Sequence, residues 1–158
     1  MTTENIVKKF YEAFSNLDAE GMVSLYSDDI IFQDPAFGKL EGERAKNMWR
    51  MLCESQKGQD FKVKYSQVFC DQTRGAAHWE AFYTFSRTGR KVHNIIEAKF
   101  DIKDGKIIRH IDTFNLHRWA KQAMGFSGFL LGWSGFFKNK LQAQTNKLLT
   151  KYEAKQSS

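Results

Sequence analysis

Cysteine is scarce in this chain: among 158 residues only Cys53 and Cys70 carry thiols. Two thiols at that spacing fit no zinc motif and build no disulfide framework, so both are expected as buried free thiols. Long hydrophobic runs are missing too. The most apolar stretch, Gly125 to Phe137, falls short of the about 20 residues that cross a bilayer, which excludes a transmembrane helix there. The chain start, Met1 to Glu4, has no charged segment followed by an apolar one, so a cytoplasmic protein is expected and a secretory signal is not. Acidic residues are missing from one region in particular. Residues 115–158 hold 7 Lys+Arg and one acid, Glu153, whereas residues 1–114 hold 17 Lys+Arg and 17 Asp+Glu, so the net charge of +6 belongs to the tail. A neutral body with a basic appendage lacks the basic stripe interleaved with aromatics of a nucleic-acid domain, and no nucleic-acid partner is expected. Phosphate-binding glycine loops, Rossmann glycine patterns and serine elbows are also absent, and no cofactor is expected.

What is present is a globular composition. Hydrophobic residues make up 42% and aromatics 15%, with 14 Phe, which predicts one aromatic-rich core. A single domain of this length buries roughly 70% of the surface its unfolded chain exposes. Ile6, Val7, Phe10, Tyr11 and Phe14 fall at helical spacing, with Thr2 or Thr3 as a cap. A second short helix follows, with Asp18 as N-cap and Met22, Val23, Leu25 and Tyr26 on its buried face. Ile30 to Phe32 predict a short strand ended at Asp34-Pro35 by the only proline. Glu41 to Cys53 return to helical spacing. From Asp60 to Asn115 the period becomes two, in four runs broken at Asp71-Gln72, Thr88-Gly89 and Asp104-Gly105. Helices followed by hairpins predict α+β, with helices on one face of a curved antiparallel sheet.

The last hairpin admits two registers. A two-residue turn at Asp104-Gly105 places Glu97 opposite Asp112 and Lys99 opposite His110. A type I turn with Gly105 as a left-handed bulge places Ile96 opposite Asp112, Ala98 opposite His110 and Phe100 opposite Ile108. The second is preferred, because it gathers Ile96, Ala98, Phe100, Ile102, Ile108 and Phe114 on one apolar face. Asn94, His110 and Asp112 then lie within that face, and Ala77, Trp79, Ala81, Tyr83 and Phe85 share it. A carboxylate there needs a partner such as His110 or a raised pKa. His78, His93, His110 and His117 could be imagined as a metal set with Glu80 or Asp112. Their strand parities point to different faces, and no metal is expected.

The order of helices, the segment Phe32-Gln33-Asp34-Pro35-Ala36-Phe37-Gly38 and the stretch Asp104 to Phe114 resemble the SnoaL-like branch of the NTF2-like superfamily, over residues 5 to about 124. The resemblance implies a cone-shaped NTF2-like (cystatin-like) fold, a curved antiparallel sheet with helices on its concave side, plus a C-terminal helical extension. The superfamily includes ketosteroid isomerases, polyketide cyclases, limonene epoxide hydrolases, scytalone dehydratases and non-catalytic members, so the fold leaves function open. Asp112 is similar to the base-like aspartate of limonene-1,2-epoxide hydrolase. Trp79 and Ala81 stand where that enzyme has an Arg and a second Asp, and Phe32 and Asp34 resemble its first-strand Tyr and Asn only loosely, so its water-activating network is incomplete here. Ketosteroid-isomerase roles could be cast on Asp34, Tyr83 and Asp112 by residue type. In SnoaL-like cyclases one acid/base aspartate near the last strand is sufficient in principle.

Residues 1–124 are expected as the NTF2-like/SnoaL-like domain. Residues 125–158 are expected as an apolar glycine-rich segment and a basic amphipathic helix, with Phe137, Leu141, Leu148 and Tyr152 on one face. That tail is read as a lid or dimer arm in preference to a membrane-surface contact. Two functions are carried forward. In one, Asp112, His110 and Asp34 are catalytic, and Asn94, Trp79, Tyr83, Ile96, Phe114, Phe32 and Trp119 hold a small apolar carbonyl- or hydroxyl-bearing molecule. In the other, a non-catalytic module uses the same hollow for a ligand, or the convex sheet face to form a homodimer.

Overall fold

The computed structural model describes residues 5–132 and 134–156. Helix α1 (Ile6–Ser15) buries Ile6, Val7, Phe10, Tyr11 and Phe14, the stripe expected from their spacing. Its cap is Asn5, whose side chain accepts from Lys8 N at 2.9 Å; Thr2 and Thr3, the expected caps, lie outside the described residues. Helix α2 (Ala19–Val23) starts at Asp18, whose carboxylate accepts from Gly21 N at 3.0 Å. Tyr26 is not on this helix. It opens strand β1 (Tyr26–Asp34), nine residues long where three were expected. Ser27, Asp28 and Asp29 look like a loop because they bulge outward, and the pairing register shifts between Tyr26 and Ile31.

Strand β2 (Gly38–Glu41) hairpins onto β1, and helix α3 (Glu43–Gln56) follows. Strands β3 (Lys62–Cys70), β4 (Arg74–Phe85), β5 (Arg90–Lys103) and β6 (Lys106–Thr113) form an antiparallel meander. The sheet runs β2-β1-β6-β5-β4-β3, with β1 and β6 parallel. This is the expected α+β architecture, an unclosed curved sheet around α1 and α3. Gly75 on β4 permits close contact with α1: a Cβ there would sit 2.6 Å from Val7 Cγ2. Cys53 is buried, and burial pushes its thiol up to about 11; Cys70 is only half-buried, a correction to the expectation of two buried thiols.

The register of the last hairpin corrects the preferred expectation. Lys103 pairs with Lys106 around a two-residue turn in which Asp104 and Gly105 both take positive φ (53° and 75°). The register then shifts at Asp101/Ile102, with Ile102 opposite Ile107 and Asp101 opposite Arg109. Ile108 is the extra residue of that bulge. Asp112 therefore lies opposite Ala98 and His110 opposite Phe100, two positions from the expected partners. Two positions is one full period of a strand, so the faces survive: Ile96, Ala98, Phe100, Ile102, His110 and Asp112 are all buried. Ile107, and not Ile108, fills the core beneath the bulge.

After β6, Asn115 caps helix α4 (Leu116–Met124), accepting from Arg118 N at 2.9 Å. Helix α5 (Phe126–Leu131) packs on α4, and α6 (Gly135–Gln156) runs back across the body; Trp133 lies outside the described residues. α6 docks mainly through polar groups. Gln142 Nε2 donates to Pro35 O at 3.1 Å, Thr145 Oγ1 to Ala36 O at 2.8 Å and Asn146 Nδ2 to Phe37 O at 2.9 Å. Arg44 on α3 donates to Asn146 Oδ1 at 2.9 Å and pairs with Glu153. Leu149 is the buried apolar residue of this helix, while Leu148, expected on the inner face, is 53% exposed.

Candidate functional site

The buried face of β6 places two polar side chains, His110 and Asp112, in an aromatic core. His110 is fully enclosed, with Phe10, Phe32 and Trp49 around its ring at centroid distances of 5.4, 5.1 and 6.0 Å. Burial of this kind demands hydrogen-bond partners, and a continuous chain supplies them. Trp49 Nε1 donates to Tyr26 Oη at 2.8 Å. Tyr26 Oη lies 2.7 Å from His110 Nδ1, and His110 Nε2 lies 2.8 Å from Asp112 Oδ1. With Trp49 filling one acceptor position of Tyr26 Oη, the network assigns the tyrosine proton to the Nδ1 contact and the ring hydrogen to Nε2. His110 then donates to Asp112. Trp79 Nε1 reaches the same Oδ1 at 3.4 Å. Both contacts fall on Oδ1, so Oδ2 is the Asp112 oxygen left for the cavity that this residue lines.

That cavity, about 360 Å³, is mainly apolar and lies between the sheet, α3 and α6. Asp34 lines another part of it, at the end of β1. Its Oδ1 accepts from Ala36 N at 3.0 Å and Phe37 N at 2.7 Å, a turn shaped by Pro35. Burial pushes Asp34 up to about 7, with the Asp112 charge adding to the rise and the two amide bonds opposing it. An oxygen that accepts two N–H bonds cannot also carry the proton, so the proton of the neutral form sits on Oδ2.

Tyr83, Asn94, Trp79, Phe114 and Trp119 line the cavity with Asp34 and Asp112. Trp119 Nε1 donates to Tyr83 Oη at 2.7 Å, which leaves the tyrosine's own proton available to a ligand. Three expected site residues lie behind the wall. His110, Phe32 and Ile96 are each at most 1% exposed and do not line the cavity, because Trp49, Trp79 and Asp112 stand in front of them. His110 is linked to the cavity only through Asp112. Ile96 pairs with Trp79 across the strands, and Phe32 packs edge-on to Trp49 at 5.5 Å.

Tyr26 and Trp49 complete the hydrogen-bonded chain, and nothing in the sequence marks them as site residues. In sequence, both look like apolar members of helical stripes. Only the long β1, paired in parallel with β6, brings the tyrosine hydroxyl to His110. Tyr11 Oη is, among the described residues, the one buried side-chain polar atom without a partner; burial and the Asp112 charge raise its pKa well above the usual value.

The other histidines divide by face. With His110 on the inner face of the sheet and His78 and His93 together on the outer one, the set of four is split between faces as expected. Both Nε2 atoms meet the Glu80 carboxylate, at 3.1 and 2.6 Å, and His78 Nδ1 meets Glu97. His117, on α4, meets Phe129 O at 2.9 Å. Among the described residues no group of three or more His, Cys, Asp or Glu is arranged to hold a metal ion.

A family model for the SnoaL-like domain matches residues 7–110. No curated protein matches. Among solved structures, an NTF2-like protein of unknown function from Burkholderia pseudomallei superposes with a TM-score of 0.65 at 14% identity, covering 78% of this chain and 99% of that one. An LEH-like epoxide hydrolase from M. tuberculosis superposes with a TM-score of 0.56 at 21% identity, covering 80% and 87%. A protein of ketosteroid isomerase-like fold from Catenulispora acidiphila, in complex with trimethylamine, gives 0.61 at 13% identity, covering 77% and 94%. Likenesses at these identities concern the fold.

Proposed function

The chain belongs to the SnoaL-like domain family, and from that premise we propose that it binds a small, mostly apolar carbonyl- or hydroxyl-bearing molecule and moves a proton on it. The observation that carries this reading is the pair of unlike carboxyl groups in one apolar cavity. Asp112 is held as a hydrogen-bond acceptor by His110 and Trp79, with Oδ2 toward the ligand space. Asp34, raised to about 7, is in part the neutral acid near neutral pH. A carboxyl raised toward neutrality beside a second carboxyl held as a hydrogen-bond acceptor can supply acid and base in one turnover.

In the proposed reaction, Asp112 Oδ2 removes a proton from carbon beside the carbonyl. The charge that develops on the carbonyl oxygen is met by the Asp34 Oδ2 proton or the Tyr83 hydroxyl, and returning the proton to a different carbon completes an isomerisation. Loss of a β-oxygen, protonated by Asp34, makes the same two groups a lyase. His110 is a positioning residue: Tyr26 and Trp49 hold its tautomer, so its Nε2 hydrogen keeps the Asp112 carboxylate in place. α6 covers the cavity mouth with Leu141, Gln144, Thr145 and Leu148 and serves as its lid.

Native mass spectrometry of freshly purified protein, with extraction of any retained molecule, identifies the ligand class. An apolar ring or chain compound bearing an oxygen function is expected. With that compound, Asp112→Asn is expected to bind within a few-fold of the parent and to lose turnover by about a hundredfold or more. Full turnover by Asp112→Asn on the same compound would refute Asp112 as the base, whereas a retained compound that the parent holds without converting would leave a non-catalytic binding module, in which the hydrogen-bond chain only anchors a ligand.

A further inference from the structure

We propose that α5 and the head of α6 form a docking surface for the anionic lipid face of a membrane. Four large apolar side chains of this short region are turned outward: Phe126 at 75% exposure, Phe129 at 48%, Leu130 at 50% and Phe136 at 77%. Local packing dictates that outward turn. α5 meets α4 through glycines, and a Cβ on Gly128 would stand 1.9 Å from Ala120 O, one on Gly132 2.6 Å from Ala120 Cβ. With glycines occupying the inner side, the phenylalanines and leucine must face out, so amphipathic order is inverted relative to a helix that packs its large residues inward.

The charge around the patch selects its partner. Lys121 Nζ sits 5.6 Å from the centre of the Phe129 ring, the Arg90 guanidinium lies against Gly125, and Lys138 and Lys140 are exposed just after Phe136. No Asp or Glu occurs between residues 113 and 152. A second copy of the same patch would bring the same positive charge and repel it, whereas an anionic lipid surface complements it and takes exposed aromatic side chains into its interface. No helix among the described residues is long and apolar enough to cross a membrane, so the protein would rest on the surface. The basic tail helix as a whole is not the contact, since its inner face is docked on residues 35–37 and α3. This surface stands apart from the chemistry proposed for the cavity.

Co-sedimentation of the full chain with vesicles of phosphatidylcholine alone, or with a quarter phosphatidylglycerol, tests it. Binding is expected to the mixed vesicles only and to fall as salt is raised. Phe126→Ser and Phe136→Ser are each expected to weaken partition about tenfold, and Lys138→Gln with Lys140→Gln by about tenfold or more together. All four side chains are exposed, so urea midpoints should not move. Equal binding to neutral vesicles, no binding, or variants that bind like the parent would overturn the proposal. So would a sedimenting dimer that the Phe variants dissolve, because the patch would then be a self-contact.

Discussion

Asp34 offers a test in which the sign, the size and the site are all set by the structure. Raising a carboxyl from 3.8 to about 7 corresponds to roughly 4 kcal/mol over the whole titration. The folded state then holds a proton that the unfolded chain has released, so stability is full below the unfolded pKa and is lost as pH rises through the folded one. Between about pH 5 and about pH 8 the loss comes to roughly 2–3 kcal/mol. Asp34 opens on a cavity that water can enter, and screening there leaves an expected loss of at least about 1 kcal/mol. Asp34→Asn keeps an oxygen for the amides of Ala36 and Phe37 and removes the titration. Urea unfolding of parent and variant at the two pH values should show the variant gaining on the parent at the higher one. Parallel profiles, or a parent that gains on the variant as pH rises, would refute the account of a half-buried Asp34 that holds its proton up to the neutral range.

Other perturbations address the rest of the architecture. Tyr26→Phe removes the donor to His110 Nδ1 and the acceptor of Trp49 Nε1, and urea unfolding should show a loss of about 1–3 kcal/mol; nitrogen-15 spectra of His110 should show the hydrogen leave a pure Nε2 position. Tyr11→Phe removes a buried hydroxyl without a partner, so its urea midpoint should hold or rise, and a fall of more than about 1 kcal/mol would reveal a bond to Tyr11 Oη. Leu149→Ala should cost about 2–4 kcal/mol in urea unfolding and speed ligand release in stopped-flow fluorescence, because the lid loses its apolar anchor. On the outer face, His78 is raised by its hydrogen bond to Glu97 and Glu80 is lowered by those to His93 and His78. Their pairing should therefore be confined to the window above the lowered Glu80 pKa and below the raised His78 one, read as His78 proton shifts that Glu97→Gln moves down.

Periodicity made much of this fold legible. The α1 stripe, the Asp18 cap and the turns at Asp71, Thr88 and Asp104 are local signals, and the structure contains each of them. Placement of Asp112 inside the sheet followed from the parity of its strand, and survived a register error of two residues because a strand repeats every two. The bulge at Ile108 was hidden because adjacent isoleucines at 107 and 108 satisfy either phase. Tyr26 was missed because Ser27-Asp28-Asp29 masks a strand as a loop, and no local pattern announces parallel pairing with β6. Apolar spacing in the tail helix points to Phe137, Leu141, Leu148 and Tyr152, yet Gln142, Thr145 and Asn146 hold it, by bonds to backbone carbonyls that leave no mark in a hydrophobic pattern. Asp34 stands out in the sequence beside the only proline, but its state depends on burial and on the charge of Asp112, which only the folded arrangement supplies.

Hydrogen–deuterium exchange at the α-carbons of β-tetralone, a two-ring ketone of a size suited to the cavity, bears most directly on the proposed chemistry. Followed by proton NMR with parent and Asp112→Asn, and with tryptophan fluorescence recording binding by both, the parent should accelerate exchange over buffer and the variant should not. Equal acceleration by the two proteins, with equal binding, would contradict a role for the Asp112 carboxylate as the base.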